Sequence, residues 1–129
     1  MAKDFNSQLV VDGYDEHIRK LIPGYELVHQ QIQSILQLHL QDNAHVLIIG
    51  CGTGYELNYL LAAHPSCTFT VTELSENMLN QARQNTQATG QAHRVNFVLG
   101  SHTDFEVSQT FDAVLCILVT HFIEQGAKP

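Results

Sequence analysis

The stretch Val46–Gly54 reads Val-Leu-Ile-Ile-Gly-Cys-Gly-Thr-Gly, and it constrains the fold more than any other part of the chain. Its four leading residues are apolar and rich in β-branched side chains, which suits a buried strand of a parallel sheet. Glycines at 50, 52 and 54 let the backbone turn tightly and lie against a ligand with no Cβ in the way. Tyr55 to His64 comes next as a short helix closed by Pro65. Strand, glycine loop and helix, in that order, present free N–H groups to a polar ligand. The spacing is Gly-x-Gly-x-Gly, with Tyr55 standing where a dinucleotide-binding fingerprint runs on toward a further glycine. The trio alone leaves the ligand open, and the residues around it have to decide.

A second strand is expected from about Cys67 to Thr72, ending at Glu73, with Ser75 as N-cap of a helix from Glu76 to about Ala88 and Gly90 as its stop. Arg94–Leu99 reads as a third strand, followed by Gly100-Ser101-His102, and Phe111 to about Val119 as a fourth. Thr120 to Gln125 begins another helix. Upstream, residues 1–13 read as an arm or a small helix ending at Asp12-Gly13, and Tyr14–Leu21 as a helix broken by Pro23-Gly24. Tyr25 to about Leu40 is the clearest helix, with Val28, Ile32, Ile35, Leu36 and His39 on one face and glutamines opposite. Strands alternating with helices make this an α/β chain with a parallel sheet and right-handed crossovers.

Composition narrows the ligand and partner. At 129 residues, 44% hydrophobic and 15% charged, the chain has room for one folded domain with a core. No apolar run approaches the roughly 20 residues of a membrane span, and Met1–Asn6 has no signal-peptide core. Cysteines at 51, 67 and 116, with no Cys-x-x-Cys pair, fit reduced thiols. A cytoplasmic location is expected. Cys51 reads as a small apolar filler beside the ligand, with a nucleophile as the alternative. The eight histidines never fall at i, i+4 on one helix, so no metal is expected. With a net charge of −7 and six scattered basic residues, the chain lacks the basic face of a nucleic-acid binder. A small-molecule partner is favoured.

Glu73 lies 19 residues beyond Gly54, at the carboxyl end of the second strand. In a doubly wound sheet a carboxylate there reaches the two hydroxyls of a ligand's ribose. The alternative is a solvated glutamate in a strand-to-helix turn. With this residue in place, the chain resembles the class I S-adenosylmethionine-dependent methyltransferases from Val46 to about Phe122. The segments that carry the resemblance are Val-Leu-Ile-Ile-Gly-Cys-Gly-Thr-Gly, Thr-Glu-Leu-Ser-Glu-Asn-Met-Leu, Phe-Val-Leu-Gly-Ser and Phe-Asp-Ala-Val-Leu-Cys-Ile-Leu-Val-Thr-His-Phe.

The resemblance implies a Rossmann-like, doubly wound, mainly parallel sheet and S-adenosyl-L-methionine as cofactor, with S-adenosyl-L-homocysteine as product. It assigns the loop Gly50, Cys51, Gly52, Thr53 and Gly54 to the methionine side and Glu73 to the ribose. Leu74 and Met78 would flank the adenine, with Ser101 and His102 near its amino group. Cys116, Ile117 and His121 fall where the family lines the cofactor and acceptor sites. His121 is the candidate base, with a histidine capping the core edge as the alternative. The segment from Tyr14 through Tyr25 looks like the front of methyltransferases related to carboxy-S-adenosylmethionine synthase, where such a tyrosine lids the cofactor. Residues 1–45 would then be a helical cover and 46–129 the binding core.

Three departures accompany the resemblance. Ile48 and Ser101 stand where the family often has carboxylates. The fold usually has about seven strands, whereas four are visible here. The chain therefore reads as truncated after the fourth strand, the cofactor-binding part of a longer protein; a complete chain would have an open edge that pairing of two copies could cover. A methyltransferase of ordinary S-adenosylmethionine is the expected function. The alternatives are a non-catalytic binding or dimerising module, a carboxy-S-adenosylmethionine type of enzyme, and a nicotinamide-dependent oxidoreductase.

Overall fold

The loop at Gly50–Gly54 is held by the strands on either side of it. The computed structural model describes residues 7–101 and 110–117. The strands are β1 (His45–Ile49), β2 (Thr68–Glu73), β3 (Val95–Leu99) and β4 (Ala113–Leu115), all parallel in the order β3-β2-β1-β4. The chain adds β2 and β3 to one side of β1 and then crosses to place β4 on the other. The order therefore reverses at the β1/β4 boundary, where open α/β sheets take their ligands beyond the carboxyl ends of the strands.

Register sorts the side chains. Val46 faces Phe69, Ile48 faces both Val71 and Leu115, and all five are buried on one side of the sheet with Leu57, Leu60 and Leu61. Those leucines come from α3 (Tyr55–Ala63), which connects β1 to β2. Helix α4 (Glu76–Ala88) connects β2 to β3 and buries Met78, Leu79, Ala82 and Thr86. A right-handed crossover puts both helices on the same face, and the Arg83 guanidinium lies 5.6 Å from the Phe97 ring centroid on that face. Burying each of Leu57, Leu60 and Phe69 stabilises the fold by about 1.5–3 kcal/mol. Ser75 caps α4 as expected, its hydroxyl accepting from the Met78 amide at 3.2 Å.

Two helices precede the sheet, α1 (Gln8–Leu21) and α2 (Tyr25–His39). Of the arm or small helix expected up to Gly13, residues 8–13 are helical, and the correction is to the break: α1 runs straight through Asp12-Gly13. Val11 and Ile18, two turns apart and both buried, anchor it, which outweighs the roughly 1 kcal/mol a mid-helix glycine costs. The buried side of α2 is also different from the expected one, consisting of Tyr25, His29 and Leu36 with Ile32 beside them, while Ile35 is 58% exposed and His39 is exposed. An apolar count cannot foresee that a histidine is buried by pairing. Strand β2 begins one residue later than expected, with Cys67 buried just before it. Of the fourth strand expected over 111–119, Ala113–Leu115 is extended, and 118–119 lie outside the described residues together with the 120–125 helix.

Candidate functional site

All three loop glycines take a positive φ: 72° at Gly50, 57° at Gly52 and 87° at Gly54. At Gly54 the freedom serves packing as well, since a Cβ there would lie 3.2 Å from the Ala82 Cβ and 3.3 Å from its Cα. Helix α4 therefore closes on the loop. The amides of Gly50 and Cys51 both donate to the Thr72 carbonyl, at 2.9 and 3.0 Å, which continues the β1–β2 ladder into the turn.

Glu73 fastens the loop in place. One carboxylate oxygen accepts from the Gly52 amide at 3.0 Å, and the other from the Ser75 amide at 2.8 Å. The side chain thus bridges the glycine loop and the β2–α4 turn, while its own carbonyl accepts from the Gly100 amide beyond β3 at 2.9 Å. A carboxylate offers about four acceptor positions, and the two amides use two of them.

The two lid tyrosines differ. Tyr14 lies over the loop, its Cε1 4.0 Å from where a Cβ on Gly52 would stand. Burial, then the charges of Asp15 and Glu73, raise its pKa. Tyr25 lies deeper, its ring 4.6 Å from His29 and 5.8 Å from Tyr55, and burial followed by the charge on Tyr14 is what raises its pKa most. Beneath it, His29 Nδ1 and Glu56 Oε2 are 2.5 Å apart and both side chains are buried. This pair, which the sequence reading did not identify, joins α2 to the first turn of α3. Its signal was only a histidine following Leu27-Val28 and a glutamate between Tyr55 and Leu57.

Thr53 was expected at the loop and is there, buried, its hydroxyl donating to Asp15 Oδ1 at 2.6 Å. Asn85 of α4 donates to the Thr53 carbonyl at 2.9 Å. Neither Asp15 nor Asn85 was anticipated; the position of Asp15 next to Tyr14 was the available clue. Burial and the Glu73 charge push the Cys51 thiol up, so it stays protonated, in keeping with a filler. Leu74 is 72% exposed at the turn, whereas Met78 is 2% exposed on the inner side of α4. Ser101 is half-buried after β3, and Cys116 and Ile117 are half-buried after β4, at the edge of the β1/β4 crevice. His102 and His121 lie outside the described residues. No group of histidine, cysteine and acidic residues suited to a metal ion occurs among the described residues. A shallow groove of about 560 Å³ between α2 and α3, lined by Gln30, Gln33, Gln37 and Tyr59, carries no charged group.

A glycine loop followed by an acidic residue on the next strand is shared by several nucleotide-binding families, and comparison with known proteins separates them. The family described as Methyltransferase domain matches residues 46–128. The chain belongs to this family. The methyltransferase-domain segment thus begins at β1 and takes in the loop, Glu73 and the β1/β4 crevice. The chain is similar to the carboxy-S-adenosyl-L-methionine synthase of Chromohalobacter salexigens, at 32% identity over 100 residues, covering 74% of this chain and 37% of that protein. Among solved structures it is similar to a SAM-dependent methyltransferase from Thiobacillus denitrificans in complex with S-adenosyl-L-homocysteine: 25% identity, TM-score 0.61, covering 71% of this chain and 36% of that one. A Methanococcus maripaludis protein shares the fold at TM-score 0.75 and 20% identity, over 97% of this chain and 56% of that one. The chain thus spans little more than a third to about half of the length of these relatives.

Proposed function

We propose that this chain carries the cofactor-binding part of an S-adenosyl-L-methionine-dependent methyltransferase acting on a small molecule. The observation that carries the reading is the Glu73 carboxylate, which fixes the glycine loop through the Gly52 amide and keeps acceptor capacity for more donors. The residues present suit the cofactor. A ribose brings two hydroxyl donors for Glu73, Gly52 adds no side chain of its own beneath Tyr14, and the exposed Leu74 offers an apolar surface to a purine. In this reading residues 1–45 form a cover over the site, with Tyr14 as its inner surface and Tyr25 supporting it, and residues 46–129 form the binding core.

The cofactor supplies an already activated methyl group, so the work left to the protein is to hold it and align an acceptor. Contrary to the expectation of free loop N–H groups, the amides of Gly50, Cys51, Gly52 and Gly54 are already bonded within the chain, so the holding falls to Glu73, the tyrosines and the close approach that the side-chain-free loop allows. An acceptor with a proton to lose needs a base, and His121 keeps that proposed role. The likeness to a carboxy-S-adenosyl-L-methionine synthase favours a second reading, in which the cofactor bears an extra carboxylate and needs a cation beside it. Arg19, the basic side chain next to the tyrosine cluster, is bonded to Glu26 at 2.6 Å and to the Asp15 carbonyl at 3.0 Å, which supports the ordinary cofactor.

No helix among the described residues is long and apolar enough to cross a membrane, and we place the protein in the cytoplasm. Without a basic face we propose no nucleic-acid partner. Calorimetry tests the reading directly. The expected result is that S-adenosyl-L-homocysteine binds more tightly than NAD, and that Glu73→Ala weakens that binding by about 1–3 kcal/mol, the value of hydrogen bonds to a charged acceptor. Tighter NAD binding, or a dissociation constant that Glu73→Ala leaves unchanged, removes it.

A further inference from the structure

Two carboxylates stand at the rim of the loop, and they are in different situations. Both oxygens of Glu73 accept backbone amides. Asp15, half-buried on α1, accepts one hydrogen bond through Oδ1, from the hydroxyl of Thr53. That hydroxyl belongs to a buried residue whose carbonyl is tied to Asn85, so the loop holds the aspartate in one place. Arg19 is near but donates to the main-chain oxygen of Asp15, and its charge is matched by Glu26. The ion pairs among the described residues include neither Asp15 nor Glu73.

The first sheet strand offers no alternative acid. Ile48 is 3% exposed and packed into the core. Asp15 also bears on both lid tyrosines, since its charge helps keep the phenols of Tyr14 and Tyr25 protonated. The rim is therefore lined by two acidic side chains and two phenols, and the cation beside it, Arg19, is already paired with Glu26. A ligand that brings its own positive centre balances the two acids, and hydrogen bonds between ionised partners are the strong ones.

We infer that Asp15 binds the α-ammonium group at the methionyl end of the cofactor, so that this carboxylate comes from helix α1 and not from the sheet. The inference rests on the proposed function and adds to it a residue outside the family-matched segment 46–128. It also gives α1 a binding duty, because the cover carries one of the ligand's charged partners.

The test uses the 129-residue chain and two ligands. S-adenosyl-L-homocysteine carries the ammonium group; 5′-methylthioadenosine keeps the adenosine and the sulfur and has no amino-acid end. Asp15→Asn preserves an acceptor for Thr53 and removes the charge. The expected result is an Asp15→Asn chain whose thermal unfolding resembles the parent's, with S-adenosyl-L-homocysteine bound about tenfold or more weakly and 5′-methylthioadenosine bound as before. Unchanged affinity for S-adenosyl-L-homocysteine overturns the inference. So does an equal loss for both ligands, which would place the role of Asp15 in loop structure. If the parent chain binds neither ligand, the proposed function fails first and the inference falls with it; failure confined to Asp15→Asn leaves that function standing.

Discussion

Glu73 shows how one side chain can be structural and still be fit for binding. Its oxygens hold the Gly52 and Ser75 amides, so that the loop and the turn cannot move apart without breaking a charge-assisted bond. The position of this acid was legible from its spacing after the glycines, but the amides it accepts were not, because they depend on how two loops meet in space. Gly54 is similar. Its place in the trio was plain, and its approach to Ala82 was visible only in the fold. Gly54→Ala has to adopt φ near +87° and also push α4 outward. We expect it to destabilise the chain by about 1–3 kcal/mol, read as a lower midpoint in urea. An unchanged midpoint would mean that α4 does not press on the loop as described.

At the level of elements, α3 and α4 were read nearly to the residue, since Ser75, Gly90 and Pro65 mark their ends. The front helices were read less well. Gly13 looked like a break because a glycine is a poor helix former, but Val11 and Ile18 are packed on either side of it and prevail. The end of α3 depends on distant residues. The Arg94 guanidinium donates to the carbonyls of Leu61, His64 and Cys67, and His64 Nε2 donates to Gln33 of α2 at 2.9 Å. Burial lowers the pKa of His64 from its ordinary value of 6.5. The folded chain then holds fewer protons at this residue than the unfolded one, so His64 stabilises the fold above pH 6.5 and progressively less as the pH falls toward its lowered value. Unfolding midpoints measured from about pH 7.5 down to about pH 5 should decline, and His64→Gln should flatten part of that decline. A parallel profile for the two chains would contradict it.

At the scale of the molecule, the described residues form a four-stranded parallel sheet whose outer strands have no strand neighbour on their far sides among those residues. Val114 on β4 is 54% exposed. The order of the strands was not readable from one sequence, since pairing between distant segments leaves no local mark; the parallel α/β class was, because crossovers need helices. We propose that two copies cover the β4 edge in the isolated chain. Sedimentation should then show a dimer that Val114→Lys turns into a monomer, while a monomer at every concentration would exclude such pairing. The central claim concerns the other end of the sheet, where the loop and Glu73 are said to grip an adenosyl group. A crystal structure of the chain with S-adenosyl-L-homocysteine tests it most directly. The account predicts both ribose hydroxyls within hydrogen-bonding distance of the Glu73 carboxylate, with the methionyl end along Gly50–Gly54. Ribose bound elsewhere, or a Glu73 carboxylate rotated into solvent with the ligand in place, would contradict it.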